Sequence, residues 1–371
     1  MKAKNPGLQF FSVLFRLVLI ALLSASASLI CKAQSSESTA SHSPSLEAYQ
    51  NYDFVPGDKI VFEDNFESDV AGEFPKHWAI EDGQATMNAA EGKNALLIIA
   101  SSTRIRPLMK NMFYLTDTFT IEFDQLAVKG YGLQLYFYPN DKEARIHDGE
   151  IASIDLCSSN SWTRMYTQVV GERSQSVDLP TAVAGENYLG KWHHIALIYK
   201  NKMLKLYIDQ YRVLSMPEFN VAPKSFAFRA DGSTASPIVI ASVRVANGGG
   251  MTNSSQKFTD AKIITHINFD IDKATIKAES MGTLNEITAL LKSNPDLKFD
   301  IQGYTDNSGD AAHNLILSQQ RADAVRKQLI KMGTDAARLT SKGLGDTAPI
   351  ADNSTPEGKA NNRRVEFITI K

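Results

Sequence analysis

Phe299–Leu329, FDIQGYTDNSGDAAHNLILSQQRADAVRKQL, reads as a strand, a polar turn and a long helix. Phe299 and Ile301 share one face of a short β run. Gly303-Tyr304-Thr305-Asp306 leaves that strand, and Asn307-Ser308-Gly309 is turn chemistry. From about Ala311, Leu315, Ala322, Val325 and Leu329 recur at helical spacing, with Leu317 and Ala324 widening the stripe. Arg321 comes 15 residues after Asp306. At a rise of about 1.5 Å per residue, a helix that folds back across the turn leaves the two close together. A lone Asp and a lone Arg would carry little information. Asp306 could simply cap the turn, and Arg321 could pair with Asp323 or Asp310 on a solvated face.

The full string is more specific: Gly303-Tyr304-Thr305-Asp306-x-x-Gly309, then Asn314, then Leu317-Ser318-x-x-Arg321-Ala322-x-x-Val325. It resembles the OmpA-like C-terminal domain, a peptidoglycan-binding module also found in Pal-type lipoproteins and MotB-type motor proteins. The resemblance runs from about Phe258 to Lys371. It takes in Phe269-Asp270, Asp272-Lys273-Ala274, Asn294-Pro295, Arg338-Leu339, Gly343-x-Gly345, Asn353-x-Thr355-x-x-Gly358 and Asn362-Arg363-Arg364-Val365-Glu366-Phe367.

The resemblance implies a ligand. Diderm peptidoglycan carries diaminopimelate, whose side chain ends in an amine and a carboxylate. A pocket for that end needs an acceptor for the ammonium and a fork-shaped donor for the carboxylate, the task for which Arg is suited. By resemblance these roles fall to Asp306 and Arg321. Asn314 would add a hydrogen bond. Thr305 and the backbone N–H groups near the helix start are further donors, since a helix N-terminus favours a carboxylate. One arginine of the Asn-Arg-Arg-Val string would line the pocket, and Arg364 is expected there ahead of Arg363. His313 stands where relatives often have an aromatic residue and is expected to pack at the pocket rim.

Composition is that of globular protein: 371 residues, 43% hydrophobic, net charge −2. Nothing in it provides the basic footprint of a nucleic-acid binder. Two cysteines, Cys31 and Cys157, are too few for a disulfide framework or a zinc site, and no cofactor is expected.

Residues 1–33 read as a secretory signal, with Lys2 and Lys4 ahead of the apolar Leu17–Leu23. Cleavage fits after Ala27 or after Ala33. A lipoprotein reading at Cys31 meets Ile30 where a small residue is wanted. An uncleaved anchor would have only about 15 mostly apolar residues after Arg16, short of the ~20 a span needs. Residues 34–58, rich in Ser, Thr, Ala and Pro, read as a linker with an end-to-end distance of roughly 25–30 Å.

Residues 59–246 read as all-β. Runs with period-two alternation recur at Lys59–Phe62, Ala95–Ala100, Phe119–Val128, Gly132–Tyr138, Trp192–Tyr199, Met203–Asp209 and Ile238–Val245. The clearest is a hairpin, Trp192–Tyr199, Lys200-Asn201-Lys202, Met203–Asp209, with Leu204, Leu206 and Ile208 on one face. The phrase Gly190-Lys191-Trp192-His193-His194-Ile195-Ala196-Leu197-Ile198-Tyr199 with Leu204-Lys205-Leu206-Tyr207-Ile208-Asp209 resembles the laminin-G-like or concanavalin-like jelly roll. Gln210 departs from the Gly that follows Asp in that family. Some members bind calcium at the rim, but no ligand set carries over.

Residues 247–257, with Gly248-Gly249-Gly250, read as a second linker spanning about 18 Å, and the two domains are expected to be loosely coupled. In residues 258–371 strands and helices alternate: Ile263–Phe269, helix Glu279–Ser293, the opening stretch, a C-cap at Gly333, then strands Arg338–Gly343 and Val365–Ile370. The expected fold is therefore multi-domain, an all-β jelly-roll sandwich followed by an α+β domain with helices on one sheet.

Three functional readings follow. The first is a non-catalytic envelope protein, periplasmic and associated with the outer membrane or cell wall. It would bind peptidoglycan and present the sandwich to an unknown glycan or protein ligand. The second is a jelly-roll glycan-processing enzyme, which needs two placed carboxylates. No Glu-x-Asp-x-x-Glu string is present, and Glu150 and Asp155 are wrongly spaced. His193 and His194, adjacent in a strand, face opposite ways and make a poor metal pair. The third places residues 59–246 in an outer-membrane barrel. Irregular strand lengths and charges such as Glu122 and Asp124 argue against it, although barrels also alternate.

Overall fold

Strand formation in the first half follows from inward-facing apolar residues, and two sheets bury them against each other. The computed structural model describes residues 46–49, 51–126, 130–139, 152–158, 163–169, 175–249 and 261–370. The signal, residues 34–45 of the first linker, Glu150 and residues 250–257 of the second linker lie outside these. The first fifteen described strands are β1 (Lys59–Asp64), β2 (Trp78–Asp82), β3 (Ala85–Ala90), β4 (Lys93–Ile98), β5 (Thr103–Pro107), β6 (Thr118–Leu126), β7 (Gly130–Tyr138), β8 (Ala152–Ser158), β9 (Thr163–Val169), β10 (Gln175–Asp178), β11 (Trp192–Lys200), β12 (Met203–Ile208), β13 (Tyr211–Met216), β14 (Ser225–Ala230) and β15 (Ile238–Asn247).

One sheet runs β13-β12-β11-β6-β15-β4-β3, with β1 also paired to β15, and the other runs β10-β9-β8-β7-β14-β5-β2. Neighbours in both are antiparallel, as in β11 with β6 and β14 with β7. Phe119, Phe123, Leu206 and Val245 of the first sheet share one core with Ile105, Leu135 and Phe228 of the second. The rings of Phe123 and Phe228 meet edge to face at 5.0 Å. The described strands thus form two open sheets with an apolar interior, the reverse of a membrane barrel, whose apolar side chains face outward. The barrel alternative is corrected on that ground.

The expected hairpin is β11–β12. Asn201 and Lys202 both adopt positive φ, 49° and 69°, the pattern of the tight turn whose twist matches its strands. At the next turn Asp209 takes the left-handed conformation, φ 51°. Its carboxylate accepts from the His194 backbone N–H at 2.9 Å and contacts His193 Nδ1 at 2.7 Å. That anchoring accommodates Gln210.

The C-terminal half contains β16 (Lys262–Thr265), α1 (Met281–Ser293), β17 (Lys298–Tyr304), α2 (Ala311–Lys331), β18 (Leu339–Gly345), α3 (Pro356–Asn362) and β19 (Val365–Ile370). The sheet order is β16-β19-β17-β18. β17 and β18 are parallel, and α2 is the crossover between them. Asp310 caps α2 by accepting from His313 N–H at 3.0 Å. Gly333, at φ +98°, follows its last turn. The buried stripe of α2 is Asn314, Ser318, Ala322, Val325 and Leu329 with Leu317, whereas Leu315, expected in it, is half exposed.

The two halves are not loosely coupled. Ser45–Lys371 is one compact unit. Tyr49, Tyr52 and Phe54, inside the expected linker, are buried between Tyr207 and Ile198 of the first sheet and Met281 and Leu284 of α1. Tyr52 and Tyr207 meet edge to face at 5.2 Å, and Asn285 Nδ2 donates to the carbonyls of Tyr49 and Tyr52 at 3.1 and 2.9 Å. A Ser-rich composition hid three aromatic anchors. Charge adds to the joint: β6 turns Glu122 and Asp124 onto its covered face, where His194 lies 3.4 and 3.0 Å away.

Candidate functional site

The turn after β17 delivers Thr305 and Asp306 beside the start of α2. Gly303 permits this approach, because a Cβ there would lie 2.4 Å from the Ser318 carbonyl on the helix. Asn314 is buried and fastens the turn, its Nδ2 donating to the carbonyls of Ser308 at 3.0 Å and Asp306 at 3.4 Å. Thr305 N–H donates to Gly345 O at 2.9 Å, while its hydroxyl is buried with no hydrogen-bond partner. Such an orphan is costly unless something else completes it.

Asp306 is buried and engaged. Its Oδ1 accepts from Ser308 N–H at 2.8 Å and its Oδ2 from Arg363 Nη1 at 2.7 Å. Burial would raise its pKa, but Arg363 and Ser308 outweigh that and hold it below the usual carboxylate range.

Arg321 projects from α2 over the ring of Phe269, 5.0 Å from its centroid. Its Nε donates to the Lys273 carbonyl at 3.0 Å, and no described carboxylate forms an ion pair with it. Burial, and then the nearby Arg363, lower its pKa. The guanidinium lines a chamber of about 100 Å³ together with Phe269, Tyr304, Arg363, His266 and Arg244. Asp272, on the adjoining hairpin, contacts His313 Nε2 at 2.6 Å. His313 therefore sits exposed and hydrogen-bonded to Asp272 rather than in aromatic packing.

Of the expected site residues, the structure brings Thr305, Asp306, Asn314 and Arg321 together. Arg364 is different. It is buried, its Nε donates to Glu366 at 2.7 Å, its Nη2 donates to Ala348 O at 3.0 Å, and it stacks 3.8 Å over Tyr304. Both arginines line the chamber, but the Arg364 donors are taken up within the fold, and Arg363 is the one that reaches Asp306. Opposite charges two apart in a strand share a face, and Arg364 with Glu366 carried that signal. Glu63 of β1 was not anticipated. It contacts Arg363 Nη2 and accepts from Arg244 at 2.8 and 2.5 Å.

The OmpA family matches residues 268–363, a span that holds Phe269, Thr305, Asp306, Asn314, Arg321 and Arg363. The C-terminal domain is thus OmpA-like over residues 268–363. This segment is similar to the probable lipoprotein YiaD of Escherichia coli K12, 48% identical over 102 residues, 28% of this chain and 47% of that protein. It is 42% identical over 102 residues to the peptidoglycan-binding protein ArfA of Mycobacterium tuberculosis, covering 28% of this chain and 31% of ArfA. The chain spans about half the length of the first relative and about a third of the second. Among solved structures it is similar to the peptidoglycan-associated lipoprotein of Burkholderia pseudomallei, 31% identical, covering 30% of this chain and 91% of that one, with a TM-score of 0.27.

Proposed function

We propose that the C-terminal domain binds peptidoglycan and that the protein is a non-catalytic tether holding the two-sheet domain at the cell wall. Asp306 receives the ammonium and Arg321 the carboxylate of a diaminopimelate side chain. Asn314 holds the turn in place, the Thr305 hydroxyl adds a donor, and Arg363 steadies Asp306. The observation that carries this reading is Arg321, a cation half withdrawn from water with no carboxylate partner among the described residues, facing a chamber near Asp306. Charge-assisted, fork-shaped recognition of a carboxylate is what such a guanidinium offers. The name of ArfA, a peptidoglycan-binding protein, supports the same ligand.

The two-sheet domain belongs, on this reading, to the laminin-G-like jelly-roll class, and its open sheets and antiparallel pairing support that assignment. It presents a surface to a second glycan or protein partner on the periplasmic side of a diderm envelope. Because the wall is a repeating polymer, modest affinity per site suffices for retention.

The test is co-sedimentation of the full chain with purified sacculi, with free meso-diaminopimelate as competitor. Pelleting that the competitor abolishes is expected. A folded protein that stays in the supernatant would sink the wall-binding reading.

A further inference from the structure

The chamber beside Asp306 is not built by the C-terminal domain alone. The two-sheet domain supplies Arg244 of β15 to its lining, and Glu63 of β1 holds Arg244 and Arg363 from behind. β1 alternates, so Phe62 and Asp64 turn inward while Glu63 points the other way. Four arginines, Arg244, Arg321, Arg363 and Arg364, line the chamber, and Arg364 is already paired with Glu366. The other three, with no counter-charge, would accept any carboxylate.

Glu63 prevents that. One carboxylate oxygen accepts from Arg244 at 2.8 and 2.5 Å, and the other is held by Arg363. Arg363 is shared between Glu63 and Asp306, so neither acid has it alone and Asp306 keeps negative charge for an ammonium. Glu63, Asp306, Arg244 and Arg363 sum to zero charge, as do Arg364 and Glu366, which leaves Arg321 as the uncompensated cation among the described lining residues. Burial would keep the proton on Glu63, but Arg244 and Arg363 overcome that and hold it ionised. His266, also in the lining, is buried, and neither ring nitrogen makes a hydrogen bond of normal geometry, although the Asn361 backbone lies near it. The chamber therefore keeps unsatisfied polar groups on its buried side.

We propose that Glu63, supplied by the two-sheet domain, is a specificity-determining residue of the wall-binding site. It restricts the site to ligand ends that carry an ammonium beside a carboxylate, against ends that carry carboxylates alone. The proposal rests on the peptidoglycan reading above. Removing the Glu63 charge leaves two cations uncompensated, which weakens the hold on an ammonium and strengthens the hold on a bare carboxylate.

The experiment uses the full chain bound to sacculi, displaced either by meso-diaminopimelate or by pimelate, the same seven-carbon dicarboxylate without its amines. Wild type is expected to be displaced by diaminopimelate at about tenfold lower concentration, the scale of one charge-assisted hydrogen bond. Glu63→Gln is expected to bring the two competitors to within about twofold. Arg244→Gln removes a cation instead and should widen the gap, so it decides the matter alone if thermal melts show Glu63→Gln unfolded. A competitor ratio unchanged in the folded variants overturns the role of Glu63 and leaves wall binding intact. Wild type that fails to pellet overturns wall binding and the role of Glu63 together.

Discussion

The side-chain amide of Asn361 pairs with both backbone groups of Ile60: it accepts from the Ile60 N–H at 3.0 Å and donates to the Ile60 carbonyl at 2.8 Å. An amide side chain from α3 thereby acts as one more rung on the free edge of β1, the edge that would otherwise offer unpaired donors and acceptors. Behind it, Ile60, Ala246 and Ala360 form a small apolar seal between the halves.

Asn361→Leu should remove both bonds and leave the Ile60 N–H and C=O without partners at the joint. The expected loss is about 1–3 kcal/mol for buried groups left unsatisfied. Urea unfolding followed by tryptophan fluorescence measures it, and a midpoint equal to wild type would mean that the rung contributes nothing.

Arg321→Ala should separate affinity from stability. One hydrogen bond, to Lys273 O, and one ring contact hold that side chain, so the melt should scarcely move. Sacculus binding should weaken roughly 10- to 100-fold, the value of a charge-assisted bond. Asp306→Asn should weaken binding to a similar extent and also release Arg363. Full binding by both variants would remove the pair from the mechanism.

Arg364→Met should behave in the opposite way. It leaves buried Glu366 with only Lys262, at 3.4 Å, and breaking a buried pair from one side costs up to about 3–5 kcal/mol. The melting temperature should fall sharply. A variant of native stability that has lost wall binding would return Arg364 to the pocket.

The C-terminal domain was legible because its signals are local: a turn, a stripe at helical spacing and a glycine after Met332. Within the two-sheet half the strongly alternating strands were visible, whereas Ala85–Ala90 and Thr103–Pro107 carry too few large apolar residues to stand out. The faces of the β6 charges could not be assigned because nothing local reveals that a second domain covers Glu122 and Asp124. Glu63 and Arg363, 300 residues apart, meet only through tertiary packing, so their partnership could not be read from either neighbourhood.

Stability should decline on both sides of a maximum near pH 6.5. Burial, reinforced by Arg244, lowers the His266 pKa to about 4. Between there and the unfolded value of about 6.5 the unfolded chain binds more protons, so stability falls as pH drops through that window. His194 runs the other way. Burial would lower its pKa, but hydrogen bonds to Asp124 and Glu122 raise it to about 10. Its contribution is full below pH 6.5 and is lost as pH rises towards 10. Urea midpoints across pH should trace this dome, and His194→Gln should flatten its alkaline limb. An unchanged alkaline limb in that variant would remove His194 as its source.

Gly282→Ala should disturb the joint from within α1. A Cβ at that position would lie 1.6 Å from the Phe54 carbonyl, so the segment carrying Tyr52 and Phe54 would have to move off the helix. Faster proteolysis within residues 46–58 is the expected readout, and wild-type resistance would show that the segment is held by other means.

The Tyr49–Phe54 segment also sets a load path. On the proposed function, a pull on the chain upstream of Leu46 that is resisted at Arg321 divides at this segment: Tyr49 and Tyr52 pass it to Asn285 on α1, and Asp53 passes it to Lys205, Tyr207 and Arg212 of the first sheet. The segment thus works as a rivet through both halves, and strain applied there is shared rather than concentrated on either.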